Sequence, residues 1–235
     1  MKSVYGPLRS WRLGIAMGVD PICRQPKVCN YKCVYCRLGH GGIMVTERCR
    51  FVDEQSVLEE AQDLLRQNRV DAIEVRGTGE PFLAKNLAMI VKGLRDLTDA
   101  PICVVSNGSM FCRPDVQSEL GSFDIVVVKL DCADRQSFLS INRPHGSINY
   151  DKMIDFMLRA RRSHKGSFRV QVTAVRQNLG EMERIVDICE TIRPDLVYLN
   201  TPLRGAASEL TRKDLSEVAK LFNAFKVRTV FDGEQ

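Results

Sequence analysis

Residues 123–131 read "FDIVVVKLD". The apolar run at 125–128 is short, rich in β-branched residues and nearly free of polar alternation. Such a run suits a strand buried on both faces, and two-face burial is the habit of parallel sheets covered by helices. The reading of this one stretch therefore points to an α/β fold, and the flanks test it.

The pattern repeats on both sides. Short apolar runs occur at "LGIAMGVD" (13–20), "VDAIEVRG" (70–77), "APICVVSNG" (100–108), "FRVQVTAV" (168–175) and "DLVYLNTP" (195–202), with "KVRTVF" (226–231) as a further candidate strand. Amphipathic stretches lie between them. Over residues 53–68, Val57, Ala61, Leu64 and Leu65 fall at i, i+4, i+7 and i+8, one face of a helix behind the N-cap candidate Asp53. Leu87, Ile90, Val91 and Leu94 form a second such face. Helices are also expected over 150–162, in "GEMERIVDICETI" (180–192), and after "TRKD" (211–214), where Thr211 and Asp214 form a capping-box pair. Six β–α units are too few for a closed eight-fold barrel, so the expectation is a partial (β/α)6 barrel or a doubly wound sheet. No Pro/Gly/Ser-rich linker divides the chain, and a single domain over 1–235 is expected. Its parts are a leading segment with the first strand (1–20), a cysteine loop (21–50), and a short helix with an extra strand (205–235).

Bulk properties narrow the function classes. The 235 residues are 44% hydrophobic and 27% charged, which argues against disorder. No stretch approaches a membrane span, and the start "MKSVYGPLRSWRLG" lacks the apolar segment of a secretory signal. The expected setting is cytoplasmic and reducing, with no membrane partner, so the nine cysteines read as thiols or metal ligands. The net charge of +5 permits a nucleic-acid partner without requiring one.

In either architecture, function sits at the C-terminal ends of the strands. The unusual residues collect there: "GTGEP" (77–81), "SNGS" (106–109), "LDCAD" (130–134), "RQN" (176–178) and "NTPLR" (200–204). After the first strand comes "CNYKCVYCRLG" (29–39), with Cys29, Cys33 and Cys36 inside eight positions. A zinc site needs four ligands, for which His40 or Cys23 are candidates. A redox dithiol would use Cys33 and Cys36 and leave Cys29 unexplained. A four-iron cluster on three cysteines would leave one iron open, as a catalytic metal site requires.

The spacing Cys-x-x-x-Cys-x-x-Cys, with Tyr35 before the last cysteine, closely resembles the signature of the radical S-adenosylmethionine (SAM) superfamily. Gly77-Thr78-Gly79-Glu80-Pro81 is similar to that family's Gly-Gly-Glu-Pro segment after the second strand. "VYGPLRSWRLGIAMGVDPI" (4–22), "LDCAD", "INRPH" (141–145) and "LNTPLR" (199–204) resemble a branch of iron–sulfur oxidoreductases related to the enzymes that build wybutosine in tRNA. Those enzymes carry a second cysteine set, whereas no cysteine precedes Cys23 here.

The resemblance implies a partial barrel of the radical SAM type. It implies a 4Fe-4S cluster on Cys29, Cys33 and Cys36, with SAM at the open iron. Reductive cleavage of SAM would give a 5′-deoxyadenosyl radical that abstracts hydrogen from substrate. A reductase such as flavodoxin or ferredoxin would supply the electron. The substrate is unidentified, with an RNA base or nucleoside favoured. The alternatives are a peptide- or protein-modifying enzyme, or a non-catalytic zinc- or SAM-binding module.

For SAM, the expected contacts are Tyr35 near adenine, Gly77 and Gly79 at the close backbone approach, and Glu80 on the ammonium. Asn107 and Asp131 would meet the ribose or methionine moiety, Arg176 the carboxylate, and Asn200 with Thr201 the adenine. "INRPH" reads equally as a substrate contact or a proline-fixed approach. Arg9 and Arg12 matter only through the branch likeness. "RARRSHKGSFR" (159–169) reads as a solvated helix end. Cys103 and Cys189 read as core residues, while Cys23, Cys49, Cys112 and Cys132 are the candidates for an auxiliary cluster.

Overall fold

The computed structural model of the chain describes residues 1–39, 41–202 and 209–233. Ten strands and seven helices follow one another along it. The strands are β1 Val4–Ser10, β2 Gly14–Val19, β3 Val28–Cys29, β4 Ile43–Met44, β5 Ala72–Val75, β6 Ile102–Ser106, β7 Ile125–Lys129, β8 Ser167–Thr173, β9 Leu196–Asn200 and β10 Val227–Thr229. The helices are α1 Glu54–Gln67, α2 Leu87–Leu97, α3 Pro114–Leu120, α4 Arg135–Ser137, α5 Tyr150–Ser163, α6 Met182–Ile192 and α7 Arg212–Leu221.

Eight strands form one sheet in the order β1-β2-β5-β6-β7-β8-β9-β10. All neighbours from β2 to β10 are parallel, and β1 is antiparallel to β2. Among the described residues no ladder joins β10 back to β1, so the curled sheet is a half-barrel with a seam. The expected partial barrel is the one found, and "KVRTVF" supplies the extra strand.

The stretch at 123–131 behaves as two-face burial requires. Val126 and Val128 pack in the outer core under the helices, while Ile125 and Val127 pack inside with Cys103 and Tyr198. The helices cover the outer face with the residues their periodicity selects. Leu87, Ile90, Val91 and Leu94 of α2 are buried, each worth roughly 1.5–3 kcal/mol when removed from water. The Asp53 carboxylate caps α1 by accepting from the Ser56 amide, and Thr211 with Asp214 forms the reciprocal box on α7.

Besides the short β3, β4 and α4, two elements lack a sequence signal. β1 carries Gly6 and Pro7 within "VYGPLRS", and its pairing with β2 shifts register between Tyr5 and Leu8. A proline with no N–H in a half-exposed edge strand does not read as a strand. α3 is only seven residues long, with Pro114 opening it, too short for a helical period to show.

The inner face at the N-terminal end is filled by the β1–β2 turn. Arg12 is 6% exposed. Its Nε and Nη2 donate to Gln171 Oε1 on β8 at 2.8 and 2.6 Å, and its Nη1 lies 3.3 Å from Glu74 Oε1 on β5. Its carbonyl accepts from the Tyr198 hydroxyl at 3.1 Å and from Arg228 Nη1 at 3.0 Å. Trp11 meets Tyr198 edge-on at 5.3 Å. This floor leaves the opposite, C-terminal mouth as the open end. Among the described residues no helix is long and apolar enough to cross a membrane.

Candidate metal centre

The cysteine loop is tied to the mouth on three sides. β3 pairs with β4. Val28 also donates its amide to the Thr78 carbonyl at 3.0 Å and bridges to Gly79. On the third side the loop runs beside the turn Phe138–Asn142 that follows α4: Lys32 N donates to the carbonyls of Asn142 and Arg143 (3.1 Å each), Val34 N to Ile141 O (2.9 Å), and His145 N to Asn30 O (2.8 Å). "INRPH" is thus a backbone clamp on the cysteine loop, and Arg143 turns out of it in the left-handed region, φ 47°.

The glycines of "GTGEP" have an internal reason. A Cβ on Gly77 would lie 1.9 Å from Asp20 Cγ, and one on Gly79 would lie 1.7 Å from the Val28 carbonyl oxygen. The close approach there is to the chain itself. Asp20 accepts from the Thr78 amide (2.9 Å), the Thr78 hydroxyl (2.8 Å) and the Ile22 amide (3.0 Å), which fastens β2 to this loop.

Each thiol lies within reach of a side-chain nitrogen donor. Lys27 Nζ is 3.1 Å from Cys36 Sγ, Asn142 Nδ2 is 3.4 Å from Cys33 Sγ, and Asn107 Nδ2 is 3.9 Å from Cys29 Sγ. All three thiols are half-buried. Burial, followed by the nearby Glu80 charge, pushes the Cys29 thiol up to about 12, and burial raises Cys33 as well. Metal binding here would displace protons, as thiolate ligation does generally. Three thiols on one loop, each facing a donor that favours the anion, fit a thiolate-held iron–sulfur cluster. Among the described residues no three His, Cys, Asp or Glu side chains are arranged around a single ion position, and His40 lies outside those residues.

Glu80 is 2% exposed. Its carboxylate accepts from Ser106 Oγ (2.7 Å), the Asn107 amide (2.8 Å) and the Phe82 amide (3.2 Å). Burial pushes it up to about 7. It therefore locks the loop after β5 onto the end of β6. Asn107 is anchored in turn, donating to Asn30 Oδ1 at 2.8 Å and accepting from Ser109 N at 3.0 Å.

The second focus is Asp131, 3% exposed at the end of β7. It accepts from the Tyr35 hydroxyl, from Thr173 N at 2.7 Å, from Asn142 Nδ2 at 3.2 Å and from Lys129 Nζ at 3.3 Å. The Lys129 ammonium also lies 4.7 Å from the centre of the Tyr35 ring and 2.7 Å from Thr173 Oγ1. The structure brings Tyr35, Glu80, Asn107 and Asp131 together around the thiols. Asn200 ends β9 half-buried on the inner face with Tyr198. Thr201 is buried and accepts from the Leu210 amide at 3.0 Å. Arg176 is exposed at the turn after β8, where its charge acts on Asp214 at the start of α7. The last part of "NTPLR" falls on residues 203–208, outside those described.

Lys27 and Lys129 are additions to the sequence reading. Lys129 had a visible signal, the one charge closing the buried run 125–129, since a charge in such a run needs partners. Lys27 had only its place two residues before Cys29. Cys103 and Cys189 are fully buried as expected. Cys23, Cys49, Cys112 and Cys132 do not form a set of three or more ligands among the described residues. Cys132 instead donates to Asn142 Oδ1 at 3.0 Å. The basic run at 159–169 lies at the closed end, where Arg161 bonds the Arg193 carbonyl and Asp195.

A parallel half-barrel with a cysteine triad clamped at its mouth defines the class of protein. The sequence model of the radical SAM superfamily matches residues 26–189, and the chain belongs to that superfamily. A UPF0026 protein of Methanocaldococcus jannaschii is 32% identical, covering 93% of this chain and 69% of that protein. A Brachyspira hyodysenteriae protein named GTPase Obg is 31% identical over 95% of this chain, which spans 34% of that relative's length. The structure of TYW1 with a lysine-pyruvate adduct shares the fold, with a TM-score of 0.66 at 15% identity over 92% of this chain and 76% of that one. The family implies a 4Fe-4S cluster and SAM.

Proposed function

We propose that Cys29, Cys33 and Cys36 hold a 4Fe-4S cluster with one open iron, and that the protein cleaves SAM reductively to start hydrogen abstraction from a substrate. The observation that carries this reading is that three thiols, clamped on one loop, each lie within reach of a side-chain nitrogen donor. Held by these three cysteines, such a cluster would supply the one electron needed for reductive cleavage of SAM. The chain's own residues do the positioning. Asp131 supplies negative charge beside the thiols with Lys129 as counter-charge, and Glu80 is held on the loop after β5 by neutral donors. Tyr35, fixed by Asp131 and Lys129, offers a ring face at the mouth for adenine. The Arg12 floor closes the far end against water.

For the substrate we favour an RNA base or nucleoside. Exposed Arg37, Arg143 and Arg176 and half-buried Lys32, on the loops at the mouth, support an anionic partner. An external one-electron donor, flavodoxin or ferredoxin, would serve the cluster. The test is 5′-deoxyadenosine formation after anaerobic reconstitution with SAM and dithionite, comparing wild type with Cys33→Ala. Product from the wild type alone is expected, rising when tRNA or nucleosides are added. Wild-type protein that takes up no iron overturns the cluster, and stimulation by peptides but not by RNA overturns the substrate class.

A further inference from the structure

Lys27 is a buried cation, 6% exposed. Among the described residues the only hydrogen-bond acceptor of its ammonium is Cys36 Sγ at 3.1 Å, and no carboxylate lies within ion-pair distance. A buried charge without a counter-charge costs several kcal/mol, and a neutral thiol offsets little of that. A metal-bound thiolate supplies the missing negative charge. The side chain is also held in place. Gly42, at φ +132°, brings its backbone so close that a Cβ there would lie 2.6 Å from Lys27 Cγ, and the Lys27 carbonyl accepts from the Ile43 amide at 2.8 Å. Cys33 and Cys29 are served by neutral amides instead. Among the three thiols, Cys36 is the one whose hydrogen-bond donor is the Lys27 ammonium.

We propose that Lys27 is a positioning residue that sets the reduction potential of the cluster through Cys36. This rests on the assignment of the three cysteines as cluster ligands. The step is a one-electron reduction: an external donor loses one electron, the cluster gains it and becomes one unit more negative, and no proton or bond moves. A fixed cation beside a ligand thiolate favours the more negative state, because charge and hydrogen bonds at the sulfurs tune such clusters. Lys27 thus raises the potential, which lets a weaker donor load the electron.

The test compares wild type, Lys27→Met, Lys27→Gln and Lys27→Arg after anaerobic reconstitution. Iron and sulfide content and far-UV circular dichroism come first, then a potentiometric titration of the cluster followed by electron paramagnetic resonance without SAM. The uncharged variants are expected to show an about tenfold lower reduced-to-oxidised ratio at the wild-type midpoint, a shift of about 59 mV for one electron. Lys27→Arg, which keeps the charge, is expected to lie nearer the wild type than either. Unshifted midpoints in folded, fully loaded Met and Gln variants overturn the proposal. So does failure of both to load iron while folded, which would make Lys27 an assembly residue. Wild type without a cluster is a different outcome, since it removes the ligand assignment itself.

Discussion

The two ends of the half-barrel use polar residues in opposite ways. At the closed end, Arg12 spends its donors on Gln171 and Glu74, and its carbonyl is bonded from Tyr198 and Arg228. Opposite charges meet across strands that are far apart in sequence. Burial pulls Arg12 down to about 10, so it stays charged at neutral pH. At the mouth, the Lys27 ammonium and the amides of Asn107 and Asn142 point at thiols, which are poor acceptors until ionised. The floor is complete without a cofactor. The mouth has donors arranged for negative charge that a metal-loaded state would provide.

The sharpest way to break this contrast is Arg12→Met. It should cost about 3–5 kcal/mol, because it strips a partner from the buried Glu74 carboxylate and removes the three side-chain bonds to Gln171 and Glu74. Urea denaturation of the apo-protein measures it. Protein that stays folded should still take up iron at the mouth. Lost iron uptake at native circular dichroism would mean the two ends are not independent.

Glu80→Gln gives a smaller effect at the other end. The buried Asn107 amide would face an N–H instead of an oxygen, for about 1–3 kcal/mol. The deficit should depend on pH. Burial raises the Glu80 carboxyl to about 7 from its ordinary 4.5, so the stability from keeping it protonated is full below 4.5 and is lost as pH rises through 7. The glutamine has no such loss, and the gap should narrow between pH 4.5 and 8 in apo-protein melts. A gap constant with pH would show that Glu80 is ionised throughout.

The smallest expected effect is at the closed end. His164 is buried with neither ring nitrogen hydrogen-bonded, and burial, then Arg161, lowers its affinity for a proton. Its stability contribution is present above the ordinary value of 6.5 and is lost as pH falls through it, with a slope of at most about 1.4 kcal/mol per pH unit. His164→Leu should flatten that acid limb. An unchanged limb assigns it to the carboxylates.

The sequence carried the periodic and the local features. The alternation of short apolar runs with helical stripes made the half-barrel legible, and the tight cysteine spacing with "GTGEP" made the site legible, because each needs only neighbours along the chain. What escaped depends on distant partners. Arg12 is a floor residue only because Gln171 and Glu74 arrive there, and Asn142 serves Cys33 only because the turn after α4 folds back over the loop. "INRPH" read evenly as contact or scaffold; its backbone is the scaffold, and its asparagine also touches a thiol.

A closed barrel has no free strand edges, whereas an open one exposes two rows of unpaired amides and carbonyls. In this protein both are blunted. β1 is interrupted by Pro7, which has no N–H to offer, and by a shift in register. β10 lasts three residues before its amide at Thr229 turns to Asp232 at 2.7 Å. Neither rim offers a regular length on which a second molecule's strand could zip. The seam that keeps this barrel open is therefore guarded against self-association, and two such proteins should meet without seeding a shared sheet.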